Sequence, residues 1–233
     1  HDPALVLPEL EMPKLGLFPY KVQAFAYGEN PSEWDDAFRK AAQALGLDGK
    51  RIGVEPRQLR LLDFRHVKAG APEAEYPDAS EVLSRLRLKK DKAEVDAMRR
   101  AVKIAQDALE ATIPLIKIGM TERELSSELV IQLFKQGSDP ELPFAPIVSG
   151  GPNAANPHAS PTDRKLQAGD LLVVDWGAAY DGYISDLTRT FAVGEVDDEC
   201  NKIHKIVQEA NAAGRAAGGG GRSCDARQVR RAR

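Results

Sequence analysis

Asp170-Leu171-Leu172-Val173-Val174-Asp175-Trp176 and Tyr183-Ile184-Ser185-Asp186-Leu187-Thr188-Arg189-Thr190-Phe191, with Asp181-Gly182 between them, decide how this chain is read. Both stretches are rich in branched and aromatic residues, as strands are. Asp181-Gly182 is a strong hairpin signal, because a two-residue type I′ turn needs positive φ at both central positions. With these two as the turn, Tyr180 faces Tyr183, Gly177 faces Asp186 and Asp175 faces Thr188. Side chains alternate between faces with period two, so Asp175 and Gly177 share a face. Asp175 and Asp186 then become diagonal neighbours on that face, with β-carbons roughly 7 Å apart or somewhat less. Gly177 is expected to leave open space beside Asp186, and Trp176, on the opposite face, reads as core.

Two partly buried like charges need compensation, either a proton on one of them or cations between them. Divalent ions bound by carboxylate oxygens are a natural answer. Two metals held roughly 3.5–4 Å apart could share such a pair and activate a water. A pair of aspartates on adjacent strands also fits a solvated face, and the spacing leaves both readings open.

Around this hairpin lies an ordinary globular composition. The 233 residues are 42% hydrophobic and 29% charged, and 32 basic residues meet 35 acidic ones for a net charge of −3. That balance argues against disorder and gives no support to nucleic-acid or membrane-surface binding. No apolar run approaches a membrane span and no signal-peptide pattern opens the chain. Cys200 and Cys224 make no disulfide framework, which makes the cytoplasm the expected setting.

Upstream, strand patterns at Ala4-Leu5-Val6-Leu7, Val22–Tyr27 and Arg51–Glu55 alternate with helical ones. One helix is expected from a Ser32 cap to Gly46, and another near Gln58 to Val67, where His66 reads as a surface residue. Such alternation indicates an α/β module. A charged, proline-containing stretch follows, and the domains are expected to span residues 1–84 and 85–233. Asp91-Lys92-Ala93-Glu94 and Thr121-Glu122-Arg123-Glu124 match capping boxes that open two further helices. Phe144–Ser149 reads as a short strand. Gly150-Gly151 is not a phosphate loop, since no Lys-Ser/Thr follows it.

Asp175-Trp176-Gly177, Asp181–Phe191, Asn156-Pro157-His158-Ala159, Gly169-Asp170 and Phe144–Gly151 together resemble the core of the Xaa-Pro peptidases. These are the prolidases and aminopeptidases P of the pita-bread metallopeptidase family. The resemblance runs from about residue 85 to 215, and residues 1–80 look like the later part of the α/β domain that precedes the catalytic one. It implies an α+β pita-bread catalytic domain, in part, preceded by part of a creatinase/prolidase-type α/β N-terminal domain. It further implies Asp175 as a metal ligand, Asp186 as a ligand bridging two metals, and His158 near the substrate, binding it or stabilising charge at the peptide carbonyl. The cofactor would be two divalent ions, Mn²⁺, Co²⁺ or Zn²⁺. The reaction would be hydrolysis of the bond before proline in a dipeptide or short peptide by a metal-activated hydroxide, and the protein would be a homodimer.

The family completes a five-ligand site with a histidine in a His-Gly-x-Gly-His stretch and two later glutamates. This sequence matches none of them, and neither His204 nor Glu195, Glu199 or Glu209 corresponds to a ligand. The expectation is therefore weak metal binding, or none, by this chain. The alternative function is a non-catalytic peptide-binding or dimerisation module of the same fold. Both ends read as cuts, with no methionine at His1-Asp2-Pro3 and an unfinished, arginine-rich segment after Gly218–Gly221.

Overall fold

The computed structural model describes residues 2–217, so the glycine- and arginine-rich end and Cys224 lie outside the described residues. The chain forms two compact units that divide between Lys90 and Asp91.

In the first unit, β1 (Ala4–Pro8) and β2 (Gln23–Tyr27) pair in parallel. They are followed by α1 (Trp34–Leu45), α2 (Leu61–Gly70) and α3 (Ser80–Leu88). Asn30, not Ser32, caps the entry to α1. Its side chain accepts from the Ser32 amide at 3.2 Å, and Pro31–Glu33 make a 3-10 turn before the helix proper. Pro31 is the reason, since the residue before a proline is pushed into extended backbone and so becomes the cap.

Arg51–Glu55 forms no strand, only isolated parallel bridges from Arg51 to Glu75 and from Val54 to Asp78. Pro77 faces this segment and has no N–H for the ladder, although its carbonyl accepts from Val54 at 2.9 Å. His66 is not a surface residue. It stacks on Phe38 with ring centroids 5.1 Å apart and pairs through Nδ1 with Asp35 at 2.6 Å.

In the second unit both expected capping boxes are present. Asp91 and Glu94 open α4 (Lys92–Thr112), and Thr121 and Glu124 open α5 (Glu122–Lys135). An antiparallel sheet of β3 (Ile147–Gly150), β4 (Leu171–Trp176) and β7 (Leu187–Ala192) packs on them. The β4–β7 hairpin is prolonged by the short pair β5 (Ala179–Tyr180) and β6 (Tyr183–Ile184), and α6 (Asp198–Ala217) follows.

Tyr180 faces Tyr183 and Asp175 faces Thr188, as the Asp181-Gly182 turn dictates, with φ of 51° and 76° at the two turn residues. Along β4, Leu172, Val174 and Trp176 are buried against Ile104, Ala105, Ala108, Leu125, Leu129 and Leu133 of the helices. Leu171, Val173 and Asp175 lie on the other face. The Trp176 indole N–H donates to the Ala105 carbonyl at 2.8 Å, locking the hairpin onto α4.

Trp176→Phe keeps most of the packing and loses that bond, so it should cost about 1 kcal/mol. Trp176→Ala should cost about 3–5 kcal/mol. Denaturant unfolding checks both, and equal losses for the two variants would contradict the assignment.

Candidate active site

Asp175 is the last residue but one of β4, on its open face, directly opposite Ile147 of β3 and Thr188 of β7. Asp186 sits where the ladder between β5–β6 and β4–β7 is interrupted, and the register continues across the gap. The gap is not open space. A β-carbon on Gly177 would lie 2.0 Å from the Ser185 carbonyl oxygen and 2.9 Å from Pro143 Cγ. The strands approach so closely here that only glycine fits.

Ser185 explains the local geometry. Its amide donates to the Ala178 carbonyl at 2.9 Å, but the Ala178 amide donates to the Ser185 hydroxyl instead of the carbonyl. The hydroxyl also lies 3.2 Å from the Ala101 carbonyl, one helical turn before the Trp176 partner. Ser185 is buried and turned to α4, so Asp186, next in the chain, is exposed on the opposite side.

His158 reaches the same place from the loop after β3. A cavity of about 390 Å³ is lined by Asp175, Asp186 and His158, with Phe144, Pro146 and Pro161 among its apolar walls. The three candidate residues of the sequence are thus brought together, from segments up to 28 residues apart. Among the described residues, no group of three or more His, Cys, Asp or Glu side chains gathers as a metal-ligand set. His204 lies on exposed α6, with Nε2 2.9 Å from the Gln208 amide nitrogen, and is not among the residues lining the cavity.

The electrostatics single out Asp175. It is half-buried, and its Oδ1 is shielded from water without a hydrogen-bond partner. Burial raises its proton affinity above the ordinary carboxylate range, and the Asp186 charge raises it further. The Thr188 hydroxyl and His158 act the other way without cancelling this. Two carboxylates side by side, both lining one cavity, are a donor pair suited to a hard divalent cation.

Two other carboxylates nearby show the contrast. Glu122 is fully buried and accepts from the Gly150 amide, the Asn153 side chain and Thr162. Asp170 receives a two-pronged pair from Arg164 at 2.7 and 2.8 Å. A β-carbon on Gly151, at φ 52°, would lie 2.5 Å from Asp170 Oδ1, so the turn after β3 rests directly on this pair. Sequence reading missed Glu122, Arg164 and Ser185. Glu122 is the second residue of a recognised capping box and looks like any first-turn acid, while Asp170 was singled out only through the resemblance.

The family model described as metallopeptidase family M24 matches residues 96–228, more than half of the chain. The chain belongs to that family. It is 34% identical over 194 residues to an uncharacterized peptidase, YqhT, of Bacillus subtilis, covering 83% of this chain and 54% of the relative. It is 29% identical over 216 residues to a Xaa-Pro dipeptidase of Lactobacillus helveticus, covering 91% and 58%. The crystal structure of a recombinant prolidase from Thermococcus sibiricus superposes with a TM-score of 0.80 at 30% identity, covering 90% of this chain and 56% of that one. The second unit is accordingly part of a pita-bread fold. The chain spans little more than half the length of the relatives it matches.

The raised proton affinity of Asp175 carries a sign. A carboxyl that binds its proton more tightly when folded costs stability where it is ionised, and the cost fades as pH falls to the ordinary carboxylate range. Asp175→Asn should therefore melt higher than the parent at about pH 7, with the advantage shrinking toward about pH 4. Thermal melts across that range test this, and an Asn variant that melts lower at neutral pH would contradict it.

Proposed function

We propose that the chain carries part of the active site of a metal-dependent exopeptidase that cleaves the bond before proline in dipeptides or short peptides. One observation carries the reading: a half-buried Asp175 with an unpartnered oxygen beside Asp186, with His158 lining the same cavity. The names of the M24 relatives, a Xaa-Pro dipeptidase and a prolidase, support the substrate class.

Asp175 and Asp186 are the ligands that would hold the metal ions. The ions would be Mn²⁺, Co²⁺ or Zn²⁺, and when bound they supply Lewis-acid polarisation of the peptide carbonyl and an acidified water. The Thr188 hydroxyl, facing Asp175, steadies the ionised carboxylate. His158, lining the same cavity, would donate to the substrate carbonyl and support the negative charge that gathers on its oxygen during attack. Phe144, Pro146 and Pro161 give the cavity, about 390 Å³, the apolar walls that a pyrrolidine ring needs. We further propose a homodimer, as the family resemblance implies, and a cytoplasmic setting, as the cysteine content suggests.

Two carboxylates are fewer donors than the four to six such ions take, so this chain alone is expected to bind metal weakly and to turn over little substrate. The protein is titrated with Mn²⁺, Co²⁺ and Zn²⁺ by calorimetry and assayed on Xaa-Pro against Xaa-Ala dipeptides, both as this chain and in a polypeptide of the relatives' length. The longer polypeptide should cleave Xaa-Pro selectively, and Asp175→Asn or Asp186→Asn should abolish both metal binding and turnover. His158→Ala should keep the metal and lose roughly 10²–10³ in kcat, the scale of a lost oxyanion donor. Peptide binding without turnover at either length would favour the non-catalytic module. Stoichiometric tight metal with turnover in this chain alone would overturn the two-ligand assignment.

A further inference from the structure

We propose that Glu122 is the positioning residue of the His158 loop, holding both of its ends from the first turn of α5. The inference rests on the reading that His158 meets the substrate.

Glu122 is 0% exposed, and every group around its carboxylate is a donor. It accepts from the Gly150 amide at 2.8 Å, where β3 ends and the loop begins. The Asn153 side-chain amide reaches both oxygens, at 3.0 and 3.1 Å. At the far end the Thr162 amide donates at 3.0 Å and the Thr162 hydroxyl at 2.6 Å. Between these anchors the loop is tied inwards. The Asn156 amide donates to the Asn153 carbonyl at 3.1 Å, and the His158 amide donates to the Asn156 side chain at 3.0 Å. An unbroken series of hydrogen bonds runs from the buried carboxylate to the backbone of His158.

The exit of the loop also closes the start of α5. The Glu122 and Arg123 amides, which have no partner inside the helix, donate to the Arg164 and Thr162 carbonyls at 3.0 and 3.1 Å. The loop that carries His158 and the helix that carries Glu122 are thus satisfied by each other.

A carboxylate is the one side chain that suits this place. Ionised, it is acceptor-only with about four lone-pair sites, matching a ring of donors, whereas a glutamine would turn an NH₂ toward at least one of them. Burial alone would raise its proton affinity, yet the bonds from Gly150, Thr162 and Asn153 hold it below the ordinary glutamate value. Arg164, the nearby cation, is engaged with Asp170. The cost of burying the charge is offset by neutral donors, most of them belonging to the loop.

Glu122→Gln, Glu122→Asp and Thr162→Val are compared with the parent by hydrogen exchange read by mass spectrometry. Glu122→Gln should speed exchange over residues 151–163 by roughly tenfold or more, the scale of losing one or two buried hydrogen bonds, with strand β4 and helix α4 still protected. Glu122→Asp should restore part of the protection. Thr162→Val, which removes only a hydroxyl at the loop's edge, should reproduce a smaller local effect, and it carries the test if Glu122→Gln fails to fold. Unchanged loop exchange in the variants, or equal loosening of loop and core, overturns the proposal.

In a polypeptide that turns over Xaa-Pro dipeptides, Glu122→Gln should lower kcat/KM, and the Glu122→Gln/His158→Ala double variant should be no slower than His158→Ala alone. Additive losses would mean that Glu122 does not act through His158. Absence of turnover in the parent counts against the peptidase reading, and the exchange measurement then still decides whether Glu122 holds the loop.

Discussion

The second unit depends on how tightly β4 and its hairpin are pressed against α4. Leu172, Val174 and Trp176 put one face of the strand into the helical core, and two hydrogen bonds fix its height. One runs from the Trp176 indole to Ala105, and the other from the Ser185 hydroxyl to Ala101. Ala101, Ala105 and Ala108 are fully buried, and their small side chains are what allow the hairpin backbone to come so close. Because strand side chains alternate, clamping Trp176 inwards forces Asp175 outwards. Clamping Ser185 inwards does the same for Asp186. The candidate site is the reverse side of a packed core, and its carboxylates inherit their rigidity from residues that never face the cavity.

Three carboxylates in this unit differ in how their charge is compensated. Glu122 is saturated by donors and Asp170 is neutralised by Arg164, and both bind protons less tightly than usual. Asp175 alone keeps a buried oxygen without a partner, next to another negative charge, and binds its proton more tightly. Random surface acids do not sort themselves this way. The structure supplies a full ring of donors or a cation to Glu122 and Asp170 and leaves one Asp175 oxygen unpartnered, a deficit that the proposed metal ions would fill. Departures from local satisfaction of this kind collect at functional sites.

Much of this was legible in the sequence, for a definable reason. Asp181-Gly182 fixes the turn, the turn fixes the register, and the register puts Asp175 opposite Thr188 with Trp176 on the core side. Each step is local or follows from a period of two. The capping boxes at Asp91 and Thr121 are equally local, spanning four residues each. What escaped is non-local or depends on exact approach. The open space expected at Gly177 is filled by the Ser185 carbonyl, because interstrand distance is set by packing on α4 and not by the hairpin itself. The capping-box spacing picks out Glu124 as the cap, but Glu122 meets partners 28 to 40 residues further along the chain, and nothing in its local sequence tells that it turns inwards. His66 and the segment from Arg51 to Glu55 failed for the same kind of reason. Their environment is made by Phe38 and Asp35 in one case and by Pro77 in the other.

The contrast between an enzyme and a binding module of the same fold turns on this same deficit. A surface that only captured peptides could gain from neutralising Asp175, since asparagine there would relieve both the desolvation and the repulsion from Asp186. Nothing in the packing of β4 requires the charge, because the Asp175 side chain points away from the core and Thr188 opposite it is itself exposed. The carboxylate is therefore a cost that folding does not need. It makes physical sense on the proposed reading, in which a cation balances the negative charge beside the histidine loop that lines the same cavity. The buried carboxylate that steadies the loop and the unsatisfied one that faces it are, on this view, two halves of one arrangement. The first is satisfied so that the loop stays in place, and the second is left unsatisfied so that it can bind.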